Sequence, residues 1–200
     1  MSRSNQLRRV TVAATQMTCD WDIDANIARA GRLARKAAEQ GAQVILLQEL
    51  FETPYFCIEQ DSKHFALATR AEDNRAIRHF RPIAKELGAV IPVSFFERAN
   101  HAFYNTTAII DADGEVMGLY RKSHIPNGPG YQEKQYFNPG DTGFKVWSTR
   151  HGRIGLGICW DQWFPETARS MAVVGAEILL FPTAIGTEPP PSPPHNSREH

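Results

Sequence analysis

The sequence predicts an α/β fold, with two layers of sheet face to face and helices outside them, from three features. Residues 44–47 and 178–181 are apolar without interruption, the pattern of strands covered on both faces. Two longer stretches repeat apolar residues at helical spacing. Three predicted strands deliver a chemically capable residue at their C-terminal ends, Glu49, Lys122 and Cys159. In open α/β sheets that edge is where ligands bind.

In chain order, residues 10–14 alternate apolar and small side chains, as a first strand does. Asp24 is placed to cap a helix whose stripe is Ile27, Ala30, Ala34, Ala37 and Ala38, with Gly41 to end it. Strand 44–47 then leads into Gln48-Glu49-Leu50-Phe51. A second stripe, Ile77, Phe80, Ile83, Ala84 and Leu87, stops at Gly88, and Pro82 inside it predicts a kink or a break. Residues 90–96 read as a strand, with Pro92 arguing against a central place. Residues 106–110, a turn at 111–114 and residues 116–120 read as a hairpin running into Arg121-Lys122.

The stretch 123–143 is a long loop rich in Gly, Pro and aromatics; Tyr131, Tyr136 and Phe137 argue that it is ordered, and such loops carry function. Residues 144–147 and 153–158 pattern as a second hairpin, whose glycines at 155 and 157 leave room for close packing. Pro165 opens a helix to about 174, and residues 178–181 are a buried strand. The tail at 188–194 is a polyproline-type segment.

Length and composition bound the function. Two hundred residues fit one domain, with 42% hydrophobic and 22% charged residues as in a soluble globular protein. Twenty-two basic and 22 acidic residues balance, so no electrostatic footprint for nucleic acid or an anionic membrane is expected. No apolar run approaches a membrane span, and residues 1–9 lack the apolar core of a signal peptide. Cys19, Cys57 and Cys159 are an odd number at wide spacing, which implies no disulfide framework and a cytoplasmic setting. Seven histidines show no metal-ligand spacing, and no metal is expected.

The chemistry centres on Ile154-Gly-Leu-Gly-Ile-Cys159-Trp-Asp, a strand that ends abruptly at Cys159 before the helix at Pro165. A cysteine at such an apex can be presented to a cleft, with backbone N–H groups facing a developing oxyanion. Free cysteines are also among the most buried residues, so a plain core position competes with that reading. A carboxylate near the thiol can accept its proton, and an ammonium can hold a tetrahedral oxyanion. Amides, nitriles and ureas are substrates that need this combination. Standing alone, Glu49 reads more readily as a helix-cap carboxylate and Lys122 as a solvated edge-strand lysine. A Cys–His arrangement through His101, His124 or His151 also remains open.

Three segments, Leu46-Leu-Gln-Glu49-Leu-Phe, Tyr120-Arg-Lys122-Ser-His and Gly157-Ile-Cys159-Trp-Asp, resemble in order the motifs of the nitrilase, or carbon–nitrogen hydrolase, superfamily. The likeness runs from about Val10 to His200, with residues 1–9 as an N-terminal extension. It implies an α-β-β-α sandwich, Glu49 as general base, Lys122 as oxyanion-stabilising cation and proton donor, and Cys159 as nucleophile. Glu133 matches the second glutamate that many members place beside the lysine, and the Trp160 N–H would complete the oxyanion hole. Within the superfamily, residues 49–57, 124–134, 136–141 and 182–189 are similar to the branch that hydrolyses N-carbamoylputrescine to putrescine, ammonia and carbon dioxide. Tyr55, Asn127, Tyr131 and Glu188 are the substrate-binding candidates. Asn127 departs from that branch, which usually has Asp there. Other small-molecule amidases of the superfamily, acting on carbamoyl-β-amino acids or ω-amides, would want a cationic pocket where this chain offers Glu52, Glu188 and tyrosines. No cofactor is implied, and a homo-oligomer is expected for the full-length form. Family chains continue past the position of His200, so the resemblance implies a domain incomplete at its C-terminus, or a catalytically silent subunit.

Overall fold

The computed structural model describes residues 9–185. Glu188, the proline-rich tail and most of the N-terminal extension lie outside the described residues. Helix α1 (Ile23–Glu39) is capped by Asp22, whose carboxylate accepts the Ala25 N–H at 3.0 Å. The expected cap, Asp24, instead lies in the first turn, because Asp22 holds the extended backbone a cap needs, its own N–H bonded to Asp20. Asp24 there complements the positive end of the helix. Gly41, at φ +89°, follows the helix as read.

Strands β1 (Val12–Ala14) and β2 (Val44–Leu46) pair in parallel. Strands β3 (Ile91–Ala99), β4 (Ala102–Ile110) and β5 (Val116–Arg121) form an antiparallel meander. A parallel bridge between Val44 and Val90 joins the two groups. Pro92 explains why that junction is so brief. The Val90 N–H points to β2 and bonds Gln43 O, so two residues on, the missing N–H of Pro92 falls on the same side.

Helix α2 (Arg75–Leu87) runs unbroken through Pro82, contrary to the expected break. Pro82 faces solvent, where water can solvate the Arg78 carbonyl it leaves without a helical donor, while Ile77, Phe80, Ile83 and Ala84 hold the opposite face on the sheet. A second sheet holds β6 (Val146–Thr149), β7 (Gly152–Leu156) and β8 (Ile178–Leu180). β8 is parallel to β7 and reached through helix α3 (Pro165–Val174).

Period-two alternation builds the layers. Ile45, Ile91, Val93, Phe95, Ala108 and Ile110 pack against α1 and α2. Their neighbours Val44, Val90 and Ile109, with Tyr120, face Trp147, Ile154, Leu156 and Leu180 of the second sheet. On the outer face of that sheet, α3 packs so closely that a Cβ on Gly155 would stand 2.8 Å from Met171 Sδ. The order is therefore helix, sheet, sheet, helix. The long loop is ordered, as its aromatics implied: Ile125, Tyr136 and Phe137 join Phe56 and Phe96 in a third apolar cluster.

Candidate active site

Glu49, Lys122 and Cys159 come to one place because β2, β5 and β7 all end there. Past β2 the chain turns sharply at Leu50 (φ +49°), whose N–H is held by Ser94 Oγ at 3.0 Å. Lys122 continues the β4–β5 ladder through its N–H to Asn105 O at 2.8 Å. Its carbonyl accepts the Gly140 N–H at 2.8 Å, in an approach so close that only glycine fits. Cys159 heads the short 3₁₀ turn Cys159–Trp163 at φ +47°, a left-handed conformation rare for a residue with a side chain. Strain of this kind persists only where surroundings impose it. Here the Cys159 N–H bonds Pro182 O at 2.9 Å, and the Asp161 carboxylate accepts the Ile158 N–H at 2.8 Å.

The charged groups form a closed cluster. Lys122 Nζ donates to Glu49 Oε1 at 2.9 Å and to Glu133 Oε1 and Oε2 at 2.8 and 2.7 Å. All three side chains are buried. Glu49 Oε1 also accepts from Asn105 Nδ2 at 2.7 Å, and Oε2 from the Ala184 N–H at 2.8 Å. Glu133 Oε1 takes the Tyr55 hydroxyl at 2.6 Å.

Burial alone would lower the Lys122 ammonium, but Glu49 and Glu133 outweigh it and hold the group above its ordinary value. Burial, with Glu49 adding, pushes Glu133 up to about 7 against the pull of Lys122 and Tyr55. Burial also pushes the Cys159 thiol well up; Glu49 and Glu133 reinforce this, while Lys122 and the Ala184 amide oppose it. Burial thus disfavours the thiolate, within electrostatic reach of one ammonium and two carboxyls.

Beside this cluster lies a cleft of about 490 Å³, lined by Gln16, Gln48, Tyr55, Tyr131, Pro182 and Ala184 among others. None of its lining side chains among the described residues is charged. Glu49 and Cys159 stand one hydrogen bond behind that lining, through Ala184 and Pro182, and Lys122 stands two behind it, through Glu133 and Tyr55. Tyr55 and Tyr131 thus fall on the cleft wall, their rings 6.0 Å apart. Trp160 occupies the second position of the 3₁₀ turn, where a helical start leaves N–H groups for outside acceptors. Asn127 is exposed on the loop and does not line the cleft, whereas Gly130 and Tyr131 of the same loop do.

The histidines are engaged elsewhere. His124 Nδ1 lies 2.7 Å from Asp161, and its ring stacks on Phe164 at 3.6 Å. His151 bonds Gln43 and Gly88 O, and His101 sits on the exposed β3–β4 turn. Among the described residues no group of three His, Cys, Asp or Glu is arranged to hold a metal, and no helix is long and apolar enough to cross a membrane.

Asn105, Ser94, Ala184 and the Asp161 side chain also hold the site, and they are not among the residues that the sequence singles out. One signal was available for Asn105, an asparagine within a strand of apolar and β-branched residues where Asn is depleted.

A carbon-nitrogen hydrolase family model matches residues 11–199. The chain is 60% identical over 189 residues to an N-carbamoylputrescine amidase of Solanum lycopersicum, covering 94% of this chain and 62% of that one. It is 48% identical over 194 residues to a citrullinase of Francisella tularensis, covering 97% and 68%. A solved amidase from Nesterenkonia sp. AN1, a mutant with acrylamide added at its active-site cysteine, superposes with a TM-score of 0.77 at 29% identity, covering 88% of this chain and 68% of that one. The chain thus spans a little under two thirds of the tomato protein's length. With the helix–sheet–sheet–helix order and the match over nearly its whole length, the chain belongs to the carbon-nitrogen hydrolase family.

Proposed function

We propose that the whole protein hydrolyses a ureido C–N bond, that of N-carbamoylputrescine, with Cys159 as nucleophile, Glu49 as general base and Lys122 as oxyanion partner. The observation that carries the chemistry is the buried Glu49–Lys122–Glu133 cluster where the strained turn presents Cys159. The 60% identity to the tomato amidase carries the substrate.

Because burial disfavours a free thiolate, attack on the ureido carbon is coupled to loss of the thiol proton. Oε1 of Glu49 is occupied by two donors and Oε2 by one, which leaves a lone pair on Oε2 for that proton. Charge developing on the ureido oxygen is met by the Lys122 ammonium and the Trp160 N–H. Glu133 keeps Lys122 charged and in place. Collapse of the tetrahedral species breaks the bond to the putrescine nitrogen, which leaves with the proton from Glu49, and a carbamoyl group remains on sulfur. Water then gives a proton to Glu49 and attacks the carbamoyl carbon. Carbamic acid departs and decomposes to ammonia and carbon dioxide, while the proton on Glu49 returns to the sulfur. Glu133, Trp160, Tyr55 and Tyr131 support the site. The proposal extends to a cytoplasmic homo-oligomer working without metal or organic cofactor.

The citrullinase likeness favours citrulline as a second candidate, since it carries the same N-alkyl ureido group. The test is release of ammonia and amine product from each compound by purified protein and by Cys159→Ala. Turnover of N-carbamoylputrescine above citrulline, abolished in the variant, is expected. Turnover retained by Cys159→Ala would refute the nucleophile, and preference for citrulline would replace the substrate.

A further inference from the structure

Asn105 is fully buried in β4, and its amide is only half used. Nδ2 donates to Glu49 Oε1 at 2.7 Å, while Oδ1 has no hydrogen-bond partner. A buried acceptor without a donor lowers stability, and a leucine of the same branched shape would avoid it. The amide is thus retained at a cost to the fold, and its one satisfied contact is to Glu49. The same residue's carbonyl takes the Lys122 N–H at 2.8 Å, so Asn105 sits beneath both members of the ion pair. Lys122 Nζ and Asn105 Nδ2 together fill Oε1, and the Ala184 N–H bonds Oε2 from the cleft side.

We infer that Asn105 is a positioning residue for Glu49, fixing the rotation of its carboxylate so that Oε2 takes the thiol proton. This rests on the reading of Glu49 as general base. Without the Nδ2 donor, each carboxylate oxygen keeps a single donor, Lys122 on Oε1 and the Ala184 N–H on Oε2, and the rotation about its last bond is less tightly set. Geometric errors of that kind cost roughly 10- to 100-fold in a proton-coupled attack.

The test reads the attack half-reaction without any substrate. Alkylation of Cys159 by iodoacetamide is followed by peptide mapping, which separates it from Cys19 and Cys57, alongside the thermal midpoint. Asn105→Leu is expected to slow Cys159 labelling by roughly 10- to 100-fold with an unchanged or higher midpoint. Glu49→Gln should slow it further, and adding Asn105→Leu to Glu49→Gln should change nothing more. A merely structural asparagine would give the opposite pattern, a lower midpoint with normal labelling. If Glu49→Gln slows labelling and Asn105→Leu does not, the inference is wrong. If Glu49→Gln has no effect, the general-base reading fails instead. Should Asn105→Leu unfold, Asn105→Ala removes the donor without adding bulk or a second carboxyl; wild-type labelling in it would overturn the inference, as would unfolding of both variants.

Discussion

Lys122→Met probes the buried cluster most severely. Methionine keeps most of the length and the apolar stem but removes the ammonium that bonds Glu49 at 2.9 Å and Glu133 at 2.8 and 2.7 Å. Removing one partner of a buried ion pair costs about 3–5 kcal/mol, because the remaining charge stays desolvated. Against a net stability of about 5–15 kcal/mol for a domain, that is a large fraction. The loss must also depend on pH. Glu133 sits at about 7 even with Lys122 present, and without the cation it binds its proton more tightly. A carboxyl whose folded value is raised contributes stability below its unfolded value, which is lost as pH rises through the folded one. Both forms hold the Glu133 proton near pH 5, so the variant's deficit should be small there and should open as pH rises past about 7. Urea unfolding followed by tryptophan fluorescence at both pH values measures it, and Lys122→Met/Glu133→Gln should recover about half at pH 8, since one of two carboxylates is gone. A deficit below about 1 kcal/mol at pH 8, the scale of an exposed pair, would refute the reasoning, as would a deficit independent of pH.

Three further outcomes follow from local geometry. Gly140→Ala would place a Cβ 2.1 Å from Arg121 O and 2.9 Å from Lys122 O, so the loop must shift. A loss of about 1–3 kcal/mol is expected, read as a lower thermal midpoint; an unchanged midpoint would show the clamp to be pliable. Glu52 is pushed up to about 7 by burial, against its bonds from Asn74 and the Ala76 amide, so its contribution to stability falls as pH rises from 4.5 to 7. Glu52→Gln should remove that slope and gain on the order of 2–3 kcal/mol at pH 8, with no gain near pH 4.5; parallel pH curves would contradict it. Asp161→Asn turns one of the acceptors of the Ile158 and His124 N–H groups into a donor and should cost about 2–3 kcal/mol. The variant should also show altered Cys159 labelling, whereas a lower midpoint with unchanged labelling would make Asp161 a general fold anchor.

The layers were legible because unbroken apolar runs such as residues 44–47 tolerate water on neither face, and the structure places Val44 and Ile45 in different cores. Glu49, Lys122 and Cys159 were singled out because each follows a strand, where a sheet exposes reactive groups, and because the three segments that carry them resemble a family's motifs in order. Their supports were not. Asn105 meets Glu49 across 56 positions, and the Ala184 N–H meets it across 135, distances at which no local pattern reports a contact. Asp161 stood inside the cysteine motif, but only the fold shows that its carboxylate ties the turn to Tyr120 and His124. Two local expectations failed for want of context. Pro82 is harmless on a face that water solvates, and the helix start belongs to Asp22 because Asp20 holds that residue extended.

The central claim is that Cys159 becomes covalently attached to the ureido carbon while Glu49 moves its proton. Its most direct measurement is mass spectrometry of protein quenched in acid during incubation with N-carbamoylputrescine, followed by peptide mapping. One added carbamoyl group is expected on the peptide bearing Cys159, none on those bearing Cys19 or Cys57, and none anywhere in Cys159→Ala. Product release with no adduct at Cys159, or an adduct on Cys57, would contradict it.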